Sequence, residues 1–379
     1  MDVTPIGLLM LFPILTVIVM KVWRAQNYTW LESGTQVVLT FICITAFYMG
    51  GKYSEMSATE YWTGSITQKT YEDDWYQTSY CCSTDKDGNC NRTCYDDHYT
   101  REWFLKTTVG KIRTSYIDTE WRTRRDNFES DWIWNEAYIG QACSRPNTYL
   151  NYVQAAKFSL HHRSGSTERF AKAGLLPNCP KLHHKYRLDR VIDLGVGISN
   201  IDEWRLILDD YMKVLGASKQ INIFVLFVPT DDPGYTAALE AHWLGANKND
   251  TIIIVGMTKD TKIINMVDVI TWAKDPIYKI NLVGDLTDFA KLSATTNNGS
   301  IDPNGFLKLV NDITIKDYER LPMATFENLK DEIDPPFWVL VICIILAVPG
   351  SLLLAWFFDN YDLDAKVFGR SSNLRFRRY

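Results

Sequence analysis

The sequence predicts a membrane-anchored α/β protein: three transmembrane helices, an α/β layered domain and a cysteine-rich mixed β module. Three observations carry this expectation. Apolar segments stand near both ends of the chain, most of the cysteines fall between them, and helix-periodic stretches alternate with unbroken apolar runs over residues 188–333.

The apolar segments are Ile6–Met20, Val37–Met49 and Phe337–Phe358. The third carries no charge and is long enough, as a helix, to cross a hydrocarbon core of about 30 Å. The first two lie at or below the usual span of about 17–25 residues. A re-entrant or interfacial hairpin is therefore the alternative to two true spans. Two spans are expected, because lipid leaves the backbone groups of any other arrangement unsatisfied. Lys21 and Arg24 lie between the first two segments, and Lys366, Arg370, Arg375, Arg377 and Arg378 follow the third. The excess of basic residues on cytoplasmic loops places that turn and the C-terminal tail in the cytoplasm. The expectation is a three-pass integral membrane protein with its large loop in the periplasm, a lumen or the extracellular space. The absence of a basic n-region argues against a cleaved signal peptide.

The organisation read from these signals is an N-terminal transmembrane hairpin (1–50) and an extracytoplasmic cysteine- and aromatic-rich module (51–187). An α/β domain (188–336), a transmembrane helix (337–358) and a basic cytoplasmic tail (359–379) follow. The chain is 46% hydrophobic and 13% aromatic, which supports folded cores, and its net charge of −5 offers no footprint for nucleic acid.

Six cysteines lie in the large loop: Cys81, Cys82, Cys90, Cys94, Cys143 and Cys179. An even number in an oxidising compartment suits three disulfides, with the pairing left open. Adjacent Cys81 and Cys82 rarely bond to each other, so each is expected to have its own partner. Zinc is the competing reading, since Cys90-x3-Cys94 lies near His98. Asp85-Lys-Asp-Gly-Asn-Cys90 reads as a hairpin turn, because Asp and Asn tolerate left-handed backbone and Gly88 allows it. It also looks like the start of a calcium loop, but the closing acidic residue is missing. Residues 60–70 read as a strand. His161-His162 and His183-His184 suggest metal binding, yet neighbouring residues point to different faces, so a pair contributes one ligand at most.

Residues 188–333 read more clearly. Val191–Ser199 is an extended lead-in, Ser199 with Asp202 forms a capping box, and Trp204, Ile207, Leu208, Tyr211 and Leu215 recur at helical spacing until Gly216. Ile221–Val228 is an unbroken apolar run, as a strand buried on both faces requires. A second helix is expected from about Tyr235 to Leu244, a second buried strand at Thr251–Val255, and closing helices near Asn304–Ile313 and Thr325–Ile333. Strands alternating with helices imply a layered α/β sheet.

The pieces "VIDLGVGIS", "NIDEWRLILDDYMKVLGAS", "INIFVLFVP", "HWLGANKNDTIIIVGM" and "LVNDITIKDYERLPMATFENLKDEI" resemble, in order and wording, the TPM domain family. Its members are thylakoid-lumen repair proteins and bacterial envelope proteins. The resemblance covers residues 188–333 and departs from the family over 257–300. There the family's glycine-rich strand is matched only loosely, by Leu282-Val-Gly-Asp285. The resemblance implies divalent-metal binding, weak phosphatase activity, or assembly and repair of membrane complexes. The position that carries over best is Asp250, at the start of a strand, where a carboxylate can serve Ca2+ or another divalent cation. Asp193, Asp231 and Asp232 are candidate ligands at the same sheet end. Capping of the turn is the competing role for Asp250.

No GxSxG elbow, P-loop or HExxH motif is present. Two functions are expected from different classes. One is a membrane-anchored, non-enzymatic binding or assembly protein that engages the membrane and protein partners in the membrane or envelope, with a homo-oligomer as one form of partner. The other is a divalent-metal-dependent envelope phosphatase.

Overall fold

The computed structural model describes residues 4–23, 28–120, 131–156, 167–198, 200–258, 263–296 and 301–360. In chain order, helices α1 (Thr4–Trp23) and α2 (Trp30–Met56) precede strands β1 (Ser57–Thr84), β2 (Cys90–Thr107) and β3 (Gly110–Glu120). Helix α3 (Trp132–Glu136), strand β4 (Ala142–Leu150), helices α4 (Tyr152–Ala155) and α5 (Thr167–Lys172) and strand β5 (Val191–Asp193) follow. The α/β part continues with α6 (Ile201–Lys219), β6 (Asn222–Val228), α7 (Gly234–His242), β7 (Asp250–Met257), β8 (Ile264–Thr271), α8 (Ile277–Thr296) and α9 (Pro303–Asp317). A 3-10 segment (Met323–Glu332) leads to α10 (Phe337–Ile345), a π-helical turn (Leu346–Gly350) and α11 (Ser351–Asn360). These elements form two compact units: residues 1–58, 149–159 and 323–379, and residues 59–148 and 160–322.

In the first unit, three helices are long and apolar enough to cross a membrane: Pro5–Trp23, Trp30–Met56 and Phe337–Asn360. The second exceeds its apolar run. It starts at a capping box in which the Thr29 side chain accepts from the Glu32 N–H and Glu32 accepts from the Thr29 N–H. Its 27 residues extend about 40 Å at 1.5 Å per residue. The helices meet at Ile6, Met10, Ile44, Tyr48, Val339, Cys343 and Ala347. Polar groups face inward beside this apolar seam. Tyr28 Oη donates to Gln36 Oε1, and Gln36 Nε2 donates to the Ser351 carbonyl at 2.9 Å. Interhelical hydrogen bonds of this kind supply specificity where lipid removes the hydrophobic drive. Pro349 sits inside the π turn, as expected where a missing N–H interrupts the helical ladder. The 3-10 segment, expected as a helix covering the α/β sheet, instead joins a small core of this unit with Met56, Tyr152, Ala156 and Ile333.

The second unit holds two four-stranded sheets, ordered β3-β2-β1-β4 and β5-β6-β7-β8. The sequence boundary expected at residue 187 falls inside this unit. In the second sheet β5, β6 and β7 are parallel and β8 is antiparallel to β7. Strands β6 and β7 are buried along their whole length. Ile223, Val225 and Phe227 meet α6, α8 and α9 on one face, through Trp204, Leu208, Leu282 and Phe306. Phe224, Leu226 and Val228 meet α7 on the other, through Tyr235, Ala238 and Leu239. The β5–α6–β6 and β6–α7–β7 crossovers step the same way across the sheet on opposite faces, so they have opposite hands. That departs from the near-universal right-handed rule.

Three local expectations are corrected. Gly216 does not end α6, which runs on to Lys219 and closes at Gln220 in left-handed backbone (φ 54°). Gly216 instead lets the helix touch β1: a Cβ there would lie 2.5 Å from the Thr63 carbonyl oxygen. Leu282–Asp285 lies in helix α8 rather than in a strand, with Leu282 in the core. The N-cap of α6 is Asn200, while Ser199 lies outside the described residues.

Candidate functional site

The four candidate acidic ligands do not come together. In the parallel register Asp250 is level with Asn222, at the start of the strands, and Asp193 is level with Phe227, near their ends. Residues 222 and 227 are five steps apart, about 16 Å at 3.3 Å per residue. Asp231 and Asp232 follow the end of β6, on the Asp193 side.

Each of these carboxylates is also engaged, Asp231 excepted. Asp193 accepts four backbone N–H groups, from Gly195, Val196, Gly197 and Ile198, at 2.8–3.0 Å. Gly195 and Gly197, both with positive φ (95° and 77°), let the chain wrap around it. Asp232 pairs with Arg169 and accepts the Gly234 N–H. Asp250 is buried and accepts from Asn222 Nδ2, Asn247 N and Asn247 Nδ2 at 3.0, 3.0 and 3.1 Å. Burial raises its pKa to about 6, with those donors opposing the shift and Glu60 adding to it. A hard cation such as Ca2+ needs six to eight oxygens, and Asp250 brings one carboxylate that already holds three N–H donors. Among the described residues no group of three or more His, Cys, Asp or Glu side chains is placed to hold a metal. The donor set does not fit a divalent ion, and capping is the role the geometry gives Asp250.

The polar centre of this unit was not visible in the sequence. Arg190, directly before β5, is buried and donates to Asp209 (2.7 Å), Thr63 (2.8 Å), Ser144 (2.6 Å), Asn222 and the Leu188 carbonyl. It ties β1 and β4 to β5, β6 and α6. Burial pushes the Asp209 carboxyl up, and the Arg190 guanidinium opposes that shift. A second knot joins Glu60, fully buried, to Arg320 at 2.6 and 2.8 Å, with Trp62 Nε1 and Asn147 Nδ2 also donating to Glu60. Asn249 Nδ2 donates to the Tyr61 carbonyl at 2.8 Å. Residues 60–63 of β1 are thus keyed to the α/β sheet by buried polar contacts. A cleft of about 290 Å³ opens beside Arg190, lined by Tyr138, His183, Arg187, Asp209 and Lys213 among others. Its charges are mostly paired internally: Arg190 with Asp209, Lys213 with Asp210 and Arg187 with Glu136.

The cysteines give two disulfides, Cys81–Cys90 and Cys82–Cys94, each with Cα atoms 5.7 Å apart. Cys81 and Cys82 do take separate partners. The two bonds staple the β1–β2 hairpin beside its turn, where the strand register shifts between Cys81 and Thr84. The expected third disulfide does not form. Cys143 is buried in a core with Ile66, Leu105 and Tyr186, and Cys179 packs against the separate Trp243 cluster. Burial raises both thiols to about 12, which makes them inert small hydrophobes. Zinc at Cys90 and Cys94 is excluded by the disulfides, and His98 stacks on Tyr76 at 4.7 Å. Asp85 uses its carboxylate within the turn, accepting the Asp87 and Asn89 N–H groups. His184 lies edge-on to Trp132, and His161-His162 lies outside the described residues.

The hairpin itself is the most distinctive exposed feature. Among the described residues β3 follows β2 as far as His98, and β1 and β2 stay paired from Tyr76–His98 to Thr84–Cys90. Among those described residues this stretch is a two-stranded ribbon about 30 Å long by strand rise. Trp75, Tyr76, Tyr80 and Tyr95 are exposed on it. No protein-family model, curated protein or solved structure matches the chain.

Proposed function

We propose that the chain is a membrane-anchored, non-enzymatic binding or assembly protein. Its three membrane-length helices hold the second unit, TPM-like in its α/β part, on the extracytoplasmic side. Lys21 and the basic tail favour that threading, and the two disulfides suit an oxidising compartment. The observation that carries the reading is the stapled ribbon. A two-stranded hairpin alone is marginal in water. This one is fixed by two disulfides toward its tip and, at its base, by Tyr76, which stacks on His98 and donates to Asp118 of β3 at 2.8 Å, and it displays large aromatic side chains. Tyrosine and tryptophan on a rigid, open element are the residues that anchor protein interfaces.

Chemical crosslinking of intact membranes tests the reading. The full chain should shift to defined higher-mass species. A variant with residues 77–97 replaced by a short Asn-Gly turn, but still trafficked and folded, should lose them. Identical crosslinks without the ribbon, or none in the full chain, would remove the basis for an assembly role.

A further inference from the structure

One face of the hairpin already shows how it takes a guanidinium. Arg101 lies opposite Asp73 in the strand register. Its Nε and Nη2 donate to the two Asp73 oxygens at 2.5 and 2.9 Å, and its Cζ sits 4.4 Å from the centre of the Tyr71 ring. The receptor is a Tyr-x-Asp step on one strand, ring and carboxylate two residues apart on one face, with the arginine supplied from across the ladder and the Trp103 ring a further 5.5 Å from its Cζ.

The same step recurs further along the ribbon. Tyr95-Asp-Asp97 lies on β2, and its register partners are Ser79 and Gln77. Asp73, Trp75, Gln77 and Ser79 alternate onto one face of β1 with Asp97 and Tyr95 opposite them, so both steps share a face. At the second step the position that Arg101 fills at the first is held by Gln77, whose Nε2 donates to Asp97 Oδ1 at 2.7 Å and leaves the second oxygen open. Tyr95 is 63% exposed and Trp75 58%. Residues 71–101 carry Glu72, Asp73, Asp74, Asp85, Asp87, Asp96 and Asp97 against Lys86, Arg92 and Arg101, with Glu72 paired to Lys111 and Asp73 to Arg101.

We propose that Tyr95 and Asp97, flanked by Trp75, form a docking site for an arginine on a basic segment of a partner protein. The proposal rests on the assembly reading above and names the partner chemistry of its ribbon. An arginine is specified over a lysine, because the site offers a ring face beside a carboxylate, which a planar guanidinium can stack on and pair with together. The acidity of the ribbon brings basic segments in and keeps it off anionic lipid.

The test uses the full chain in nanodiscs of zwitterionic lipid, with two fluorescein-labelled peptides of equal length and charge, one alternating Arg and Ser and the other Lys and Ser. Anisotropy should report tighter binding of the arginine peptide by about two- to fivefold, as stacking of an exposed cation implies. Tyr95→Ser and Asp97→Asn, both at exposed or half-exposed sites, should each abolish that preference. Gln77→Arg should fill the site from within, as Arg101 fills its own, and lower affinity for the arginine peptide by a similar factor. Equal affinity for the two peptides, or affinity unchanged in Gln77→Arg and Asp97→Asn, overturns the proposal. If this happens while ribbon-dependent crosslinks persist in native membranes, the arginine site falls and the assembly role stands; loss of those crosslinks as well removes both.

Discussion

Replacing Arg320 with Met should destabilise the second unit by about 3 kcal/mol. Glu60 has a side chain 1% exposed and Arg320 one 16% exposed, and they meet through two contacts at 2.6 and 2.8 Å. Removing one member of a buried ion pair costs about 3–5 kcal/mol, because a charge is left in a medium that solvates it poorly. Trp62 Nε1 and Asn147 Nδ2 would still donate to Glu60, which places the loss at the low end. A domain of this size loses about 2–4 °C of melting midpoint per kcal/mol, so the shift should be about 6–12 °C, read by tryptophan fluorescence of the full chain in detergent. The decisive arm is Glu60→Gln in the Arg320→Met background. A neutral amide keeps an acceptor for Trp62 or Asn147 and carries no stranded charge. The double variant should therefore recover about half the loss, leaving a deficit near that of one ordinary hydrogen bond, about 1–1.5 kcal/mol. A single-variant cost below about 1 kcal/mol, or a double variant no better than Arg320→Met, would refute the claim that Glu60 is held as a buried charge.

Two further outcomes follow from the same interior. Asp250 has its carboxyl raised to about 6 in the folded chain, against about 3.9 when unfolded. The folded form thus binds the extra proton. Its contribution is complete below about pH 4 and lost as pH rises through about 6, a total of up to ~3 kcal/mol. Urea midpoints of wild type and Asp250→Asn, compared at pH 4.5 and pH 7, should converge differently at the two values; a difference constant with pH would contradict the shift. Gly216→Ala would raise helix propensity by about 1 kcal/mol in an open helix, but here its Cβ meets β1 backbone at 2.5 Å. Destabilisation of about 1–3 kcal/mol is expected, and a stabilised variant would show that the contact does not exist.

What was legible in the sequence was what local pattern encodes. Ile221–Val228 and Thr251–Val255 read as buried strands because a strand covered on both faces cannot alternate. The Asp85–Asn89 turn and the separate partners of Cys81 and Cys82 also followed from local chemistry. Over helix α8 Tyr278, Leu282, Leu286 and Ala290 recur every four residues and all are buried, a helical signal masked by the likeness of Leu282-Val-Gly-Asp285 to a strand of the TPM pattern. Strand β8 carries little sequence signal because an edge strand beside only one neighbour is half polar. The acidic residues were grouped by type, and only the parallel register shows that Asp250 and Asp193 stand at opposite ends of the sheet. Arg190 and Thr63 lie 127 residues apart, and no short-range signal announces such a pair. Parity alone implies a bond for Cys143 and Cys179, whereas each packs in an apolar core as a thiol.

Two disulfides near the tip and the contacts of Tyr76 at the start of the ribbon explain why it can stand beyond its sheet. Hydrophobic burial cannot hold it, since residues 71–84 are all exposed. Position must come from the two ends. At the tip, the disulfides close loops of 9 and 12 residues, each removing about 2.5–3 kcal/mol of unfolded-state entropy if acting alone. At the base, Tyr76 stacks on His98 and donates to Asp118 of β3 at 2.8 Å, and further back along β1 Glu60, Thr63 and the Tyr61 carbonyl take directional bonds from Arg320, Arg190 and Asn249. Directional bonds fix the angle of the strand as well as its depth, which apolar packing alone does less well. A ribbon held this way has little conformational freedom left to lose when a partner binds, so its exposed rings and carboxylates deliver more of their contact energy as affinity.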